Sequence, residues 1–168
     1  MSKTIINLRD IFTKSMFGEI RLGQTIDEVI AFLGKPVGEY DSDNPNDDYN
    51  VHFLTYDSYE FWFINYFDSS KVYKLSAFQN DSYNYKNTFE GAFKADISID
   101  FWLFRYGITL KEAEVILKSE QLQYTKYKKV ETTFLEFENK SKILFEDDKN
   151  SNSLICVGWM FHPEVHFE

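Results

Sequence analysis

Gly23-Gln24-Thr25-Ile26-Asp27-Glu28-Val29-Ile30-Ala31-Phe32-Leu33-Gly34 decides how this chain is organised, because its pattern returns 84 residues later. Gly23, Thr25, Ile26, Glu28 and Leu33 reappear as Gly107, Thr109, Leu110, Glu112 and Leu117. In each copy a threonine stands three residues before a glutamate. That spacing lets the hydroxyl accept from a first-turn amide while the carboxylate reaches back to the threonine's own N–H, so both copies predict a capped helix start. Ile26, Val29, Ile30 and Leu33 then fall at i, i+3, i+4 and i+7, one apolar stripe, and Gly34 with Lys35-Pro36 ends it. The second stripe, Leu110, Ala113, Val115, Ile116 and Leu117, is broader and is expected to end near Glu120.

Beyond each helix the hydrophobic period changes from 3.6 to 2. Val51 to Tyr56, Tyr59 to Tyr66 and Lys71 to Phe78 are dense in aromatic and β-branched residues, with Asp57-Ser58 and Ser69-Ser70 as turns between them. The second half answers with Gln123 to Val130, Thr132 to Glu138, Lys142 to Phe145 and Ser153 to Phe161. At the last strand Val72 and Leu75 meet Cys156 and Trp159 at the same offset of 84. The expectation is an α+β fold, a single domain over 1–168 built of two tandem helix-plus-antiparallel-meander repeats, about 1–84 and 85–168. Either half alone would bury only about 60% of its surface and the whole close to 70%, which favours one continuous sheet with helices on one face and the other face open.

Gly18-Glu19-Ile20-Arg21-Leu22-Gly23-Gln24-Thr25-Ile26-Asp27-Glu28-Val29-Ile30, followed by Leu33-Gly34-Lys35-Pro36, resembles the helix-opening signature of the β-lactamase-inhibitor-protein-like fold, shared with envelope proteins of the BamE, SmpA and OmlA type. Tyr106 to Leu117 resembles it more faintly. Two such units in tandem are the layout of the inhibitory proteins. Small acidic chains with this opening are similar to cytosolic immunity proteins of bacterial contact-dependent and polymorphic toxin systems. The resemblance thus implies a non-enzymatic protein that binds a cognate toxin domain and occludes its active site. A small-ligand-binding or enzymatic α+β domain and an envelope-assembly scaffold are the alternatives.

Composition narrows the partner. With 18 basic against 27 acidic side chains the net charge is −9, which opposes binding to a phosphate backbone and suits a basic protein partner. Among 168 residues there is one cysteine, Cys156, in the apolar run Leu154-Ile155-Cys156-Val157, so it is expected to pack as a small hydrophobe. Arg9, Asp10 and Lys14 interrupt the start of the chain where a signal peptide would need an unbroken apolar core, and no window of about 18 residues is free of charge. A cytoplasmic protein with no membrane contact is expected.

Residues 36–70 hold Glu39, Asp41, Asp43, Asp47, Asp48, Asp57, Glu60 and Asp68 and no Lys or Arg. The segment reads either as a solvated loop or as a surface that steers a basic partner onto neighbouring rings. Phe53, Tyr56, Tyr59, Phe61, Trp62, Phe63, Tyr66 and Phe67 crowd one hairpin. Strand alternation sends one parity into the core and leaves the other, Tyr59, Phe61 and Phe63 or else Trp62 and Ile64, on the open face, either as an aromatic binding patch or covered by a second-half segment or an oligomer partner. The candidate partner-binding residues are accordingly Glu39, Asp41, Asp43, Asp47, Asp48, Asp57, Tyr59, Glu60, Phe61, Trp62 and Phe63.

No catalytic, metal or cofactor site is expected. Asp41-Ser42-Asp43-Asn44-Pro45-Asn46-Asp47 fails as a calcium loop, with Pro45 at the fifth position, Asn46 at the glycine position and His52 at the twelfth. Pro163 in His162-Pro163-Glu164-Val165-His166 forbids the helical geometry of a zinc hydrolase motif. No serine or cysteine stands beside a histidine in a nucleophile-like setting.

Overall fold

Thr25 and Thr109 each begin a helix in the computed structural model, which describes residues 3–42, 49–66, 72–81, 93–104, 107–148 and 153–163. The Thr25 hydroxyl accepts from the Glu28 amide at 3.3 Å, and Glu28 Oε2 accepts from the Thr25 amide at 2.7 Å. At Thr109 and Glu112 the same bonds measure 3.3 and 2.8 Å. Two first-turn donors are thereby satisfied in each helix.

In chain order the elements are β1 (Thr4–Asn7), α1 (Arg9–Lys14), α2 (Ile26–Leu33), β2 (Gly38–Ser42), β3 (Tyr49–Tyr56), β4 (Tyr59–Tyr66), β5 (Lys74–Asp81), β6 (Ile97–Asp100), α3 (Leu110–Ser119), β7 (Thr125–Lys129), β8 (Thr132–Glu136), β9 (Ser141–Asp148) and β10 (Ser153–Phe161). Among the described residues eight strands form one sheet in the order β2-β3-β4-β5-β10-β9-β8-β7, and every neighbouring pair is antiparallel. β1 and β6 form a separate short parallel pair.

Helix stripes and strand parity define the core. Val29 and Leu33 of α2 and Leu110, Ala113 and Leu117 of α3 are buried together with Ile11 and Phe12 of α1 against Leu54, Tyr59, Phe61, Leu135, Phe145 and Trp159 of the sheet. Val115 departs from the expected stripe and is 64% exposed, because the i, i+3, i+7 row of Leu110, Ala113 and Leu117 already faces the sheet and Val115 lies on the opposite side. Phe17 stands among Tyr59, Phe61, Phe78 and Trp159, all within 6.3 Å between ring centroids. Cys156 is buried in this core, as its apolar run implied.

α2 ends at Gly34, whose φ of 99° suits a residue without a Cβ. The Lys94 amide donates to the Leu33 carbonyl at 2.9 Å, and Lys94 Nζ donates to the Ala31 carbonyl, so the free carbonyls of the last turn are met from across the fold. α3 stops at Glu120, the position its stripe predicted. Glu120 in turn accepts from Arg9 Nε at 2.6 Å and from Trp102 Nε1 at 2.8 Å, which ties the end of α3 to the start of α1.

Two registers are irregular. Trp62 pairs with Ala77 and Phe63 with Leu75, leaving Ser76 as an extra residue in β5. Cys156 pairs with Phe145 and Gly158 with Leu144, leaving Val157 as an extra residue in β10. Each bulge returns its strand to the correct face after one unpaired position. Just before each bulge the strand meets the loop that leads into a helix: Leu75 N donates to Gln24 O at 2.8 Å, and Cys156 N donates to Ile108 O at 3.0 Å. The central contact of the sheet is β5 against β10, where Gln79 lies opposite Met160.

Several expectations shift. β5 begins at Lys74 instead of residue 71, and β9 continues to Asp148. The segment taken as a loop after Pro36 contains an edge strand, β2, whose Glu39 to Ser42 are exposed. Its pairing partner β3 imposes extended structure that Gly38, Glu39 and Asp41 do not favour. β1, α1 and β6 are too short to leave a periodic signature.

Candidate functional site

The hairpin turn at Asp57-Ser58 sets Tyr56 opposite Tyr59 and thereby fixes the parity of β4. Asp57 is exposed and takes a left-handed φ of 54° there. Tyr59, Phe61 and Phe63 point into the core at 0%, 1% and 0% exposure. This corrects the expectation that they meet a partner: facing α2, Phe17 and Phe78, they serve packing. Glu60, Trp62 and Ile64 take the other face.

On that face Val51, Phe53 and Ile64 form a second buried cluster, with Tyr49 and Trp62 packed against it and no helix among its members. Tyr40 of β2 stacks on Phe53 at 4.6 Å, the Phe53 ring meets Trp62 edge-on at 5.1 Å, and Trp62 meets His162 edge-on at 4.7 Å. Glu60 sits at the centre of this row of rings. Its carboxylate accepts from Tyr40 Oη at 3.3 Å, from Trp62 Nε1 at 3.2 Å and from Gln79 Nε2 at 2.8 Å. The Tyr40 hydroxyl is held above its ordinary pKa by burial and then by the Glu60 charge.

Gln79 completes the row, its side-chain oxygen lying 3.0 Å from His162 Nε2. Burial, with the Lys142 charge adding to it, pushes the His162 imidazole down to about 4. A neutral ring facing an amide oxygen must carry its proton on Nε2, so the chain of donors runs from His162 through Gln79 to Glu60. The arrangement is a row of aromatic rings bridged through Glu60 and Gln79.

The acidic residues divide between two faces. Glu39 pairs with Leu54 and Asp41 with His52, so both point to the helix side, whereas Tyr40 between them points to the open side. His52 lies between the two carboxylates, with Nε2 3.1 Å from Glu39 and Nδ1 2.8 Å from Asp41. Edge strand β2 is where both faces meet. Asp43, Asp47 and Asp48 lie outside the described residues.

The far end of the sheet carries a counterpart that sequence reasoning missed. Tyr127 of β7 stacks on Phe134 of β8 at 5.2 Å, directly opposite it in register, and donates to Glu136 at 3.1 Å. Burial, followed by the hydrogen bond to Glu136, pushes the Tyr127 hydroxyl up to about 12. The signal in the sequence was the shared Tyr at the centre of Glu39-Tyr40-Asp41 and of Lys126-Tyr127-Lys128.

Other hollows are modest. One of about 210 Å³ lies on the open face beside Gln79, Leu144, Glu146 and Met160. Another, of about 600 Å³, is a groove at the start of α2 beside Glu19, Arg21, Glu28 and Lys74. Among the described residues no group of three or more His, Cys, Asp or Glu is placed to hold a metal ion, and no helix is long and apolar enough to cross a membrane. No family model matches the chain, and neither curated proteins nor solved structures offer a match.

Proposed function

We propose that the chain is an immunity-type inhibitor that binds a cognate, basic toxin domain through the open face of its sheet and the adjoining β2 edge, and occludes the toxin's active site. The observation that carries the reading is the row Tyr40, Phe53, Trp62 and His162, in which Tyr40 is exposed, Trp62 half-buried and the other two buried, laid over one sheet face while the three helices among the described residues pack on the other. Rings held rigid by neighbours and by Glu60 lose little freedom on binding, which is what effective interface anchors require. Glu39 and Asp41 at the same edge add attraction for a basic surface.

The reading includes a doubled architecture, two helix-plus-meander repeats related by a pseudo-two-fold axis. Supporting it, the extra residues Ser76 and Val157 stand 81 positions apart, as do Leu75 and Cys156 with their matching bonds to the helix-leading loops. Gln79 and Met160, again 81 apart, face each other at the centre of the sheet, where a two-fold axis between antiparallel strands would pass. The helix starts keep the sequence offset of 84, and three residues are lost between helix and last strand. On this reading the pairing of Leu75 with Trp159, expected from the sequence, gives way to Leu75 with Cys156.

The test is calorimetric. The purified chain is titrated with the product of its neighbouring reading frame, which on this reading is expected to carry the toxin domain, and residual toxin activity is assayed across the same titration. One-to-one binding with full loss of activity at equivalence is expected. Binding that leaves the toxin active, or no binding at all, overturns the proposal.

A further inference from the structure

The two outer strands of the sheet are chemical complements. β2 reads Glu39-Tyr40-Asp41 and β7 reads Lys126-Tyr127-Lys128, each at the centre of a five-residue strand. Among the described residues no strand pairs with the outer edge of either. We propose that these edges bind each other between copies of this chain, β2 of one copy adding to β7 of the next to continue the sheet.

Geometry supports the match in three respects. First, eight strands alternating in direction leave β2 and β7 antiparallel, so a second copy placed alongside in the same orientation brings its β2 antiparallel to β7 of the first. Second, the faces agree: Glu39 and Asp41 pair with Leu54 and His52, Lys126 and Lys128 pair with Leu135 and Thr133, and all four charges therefore project to the helix side. Third, setting Tyr40 opposite Tyr127 places Glu39 against Lys128 and Asp41 against Lys126, two favourable cross-strand pairs. The same register brings together two ring stacks, Tyr40 on Phe53 and Tyr127 on Phe134.

The charges remain available for this. The side chains of Glu39 and Asp41 are 55% and 61% exposed beside His52, and Lys126 is 48% exposed beside Glu114. Lysines on an edge strand ordinarily guard against pairing. Here the acids at the opposite edge turn that guard into a selector, since β2 repels β2 and β7 repels β7 while the unlike edges attract. The contact is head-to-tail, so it generates an open chain of copies, held weakly by one short strand pair per junction.

Sedimentation velocity over a concentration series at low and high salt tests this. At low salt the weight-average mass should rise with concentration above that of a single chain, and return to it at 1 M salt, where the Debye length is about 3 Å. Glu39→Lys with Asp41→Lys, and separately Lys126→Glu with Lys128→Glu, should each leave the chain monomeric. Their equimolar mixture should associate again, which a misfolded variant cannot do. If a double variant fails to fold, Lys128→Glu alone, at an exposed position, should still weaken association several-fold. A wild-type chain that stays monomeric at low salt, variants that associate as well as wild type, or a mixture of folded variants that does not associate would each overturn the proposal.

Discussion

Replacing Phe61 by alanine should separate the two faces of β4 cleanly. The ring is 1% exposed and lies 5.6 Å from Phe17, 5.7 Å from Tyr56 and 6.0 Å from Phe78, all part of one core. These neighbours are themselves large and held by the sheet and by one another, so the space left cannot collapse, and a loss of about 4 kcal/mol is expected. With a urea m-value of about 2 kcal/mol/M for a chain of this size, the unfolding midpoint should fall by about 2 M. Trp62→Ala removes a larger side chain from the next position, yet from the partly exposed face, where water refills the space. It should cost about 1–2 kcal/mol, for the lost ring contacts with Phe53 and His162 and the lost donor to Glu60, and lower the midpoint by less than about 1 M. Far-UV circular dichroism in urea measures both. A Phe61→Ala midpoint within about 0.5 M of wild type, or a larger shift for Trp62→Ala than for Phe61→Ala, would refute the assigned parity and with it the location of the proposed binding face.

Three further outcomes are expected. Thr25→Ala and Thr109→Ala should each cost about 1 kcal/mol, and the double variant about the sum, since the two capping boxes serve separate helices; thermal melts check this. Because folding lowers the pKa of His162 from 6.5 to about 4, the fold favours the neutral ring, and its contribution declines as pH falls from 6.5 toward 4 and is constant below that. Wild type should therefore lose up to about 3 kcal/mol more than His162→Gln across that interval in urea melts at stepped pH, and parallel curves would refute it. Replacing Asp41, Asp43, Asp47 and Asp48 together by asparagine should slow association with the toxin and flatten its salt dependence without changing stability, whereas Trp62→Ala should act on the dissociation rate; stopped-flow traces at two ionic strengths distinguish them.

Helix starts were the most legible part of this chain, because a capping box is a local device: Thr25 with Glu28 and Thr109 with Glu112 need nothing from the rest of the fold to be recognised. Strands β3, β4 and β10 were legible for a related reason, since their alternation is dense and bounded by turn residues. β2 was not. Of its five residues only Tyr40 favours a strand, while Gly38, Glu39 and Asp41 disfavour one, and pairing with β3 makes the segment extended. The parity of β4 was only partly legible: Tyr59, Phe61 and Phe63 alternate with Glu60, Trp62 and Ile64, so both rows carry large apolar side chains, and packing against Phe17 and Phe78 decides between them. The hub at Glu60 joins Tyr40, Trp62 and Gln79 from three strands, a convergence with no sequence spacing to announce it.

Growth protection tests the central claim most directly. On the proposed function the reading frame beside this chain is expected to encode a toxin domain, and cells expressing that reading frame are compared with and without the chain, and with its Trp62→Ala variant at equal folded abundance. Wild type should restore growth, and Trp62→Ala should restore it only at markedly higher expression. Toxin-expressing cells that gain nothing from the wild-type chain, or that are protected equally by both forms, would contradict an inhibitor acting through the open face of the sheet.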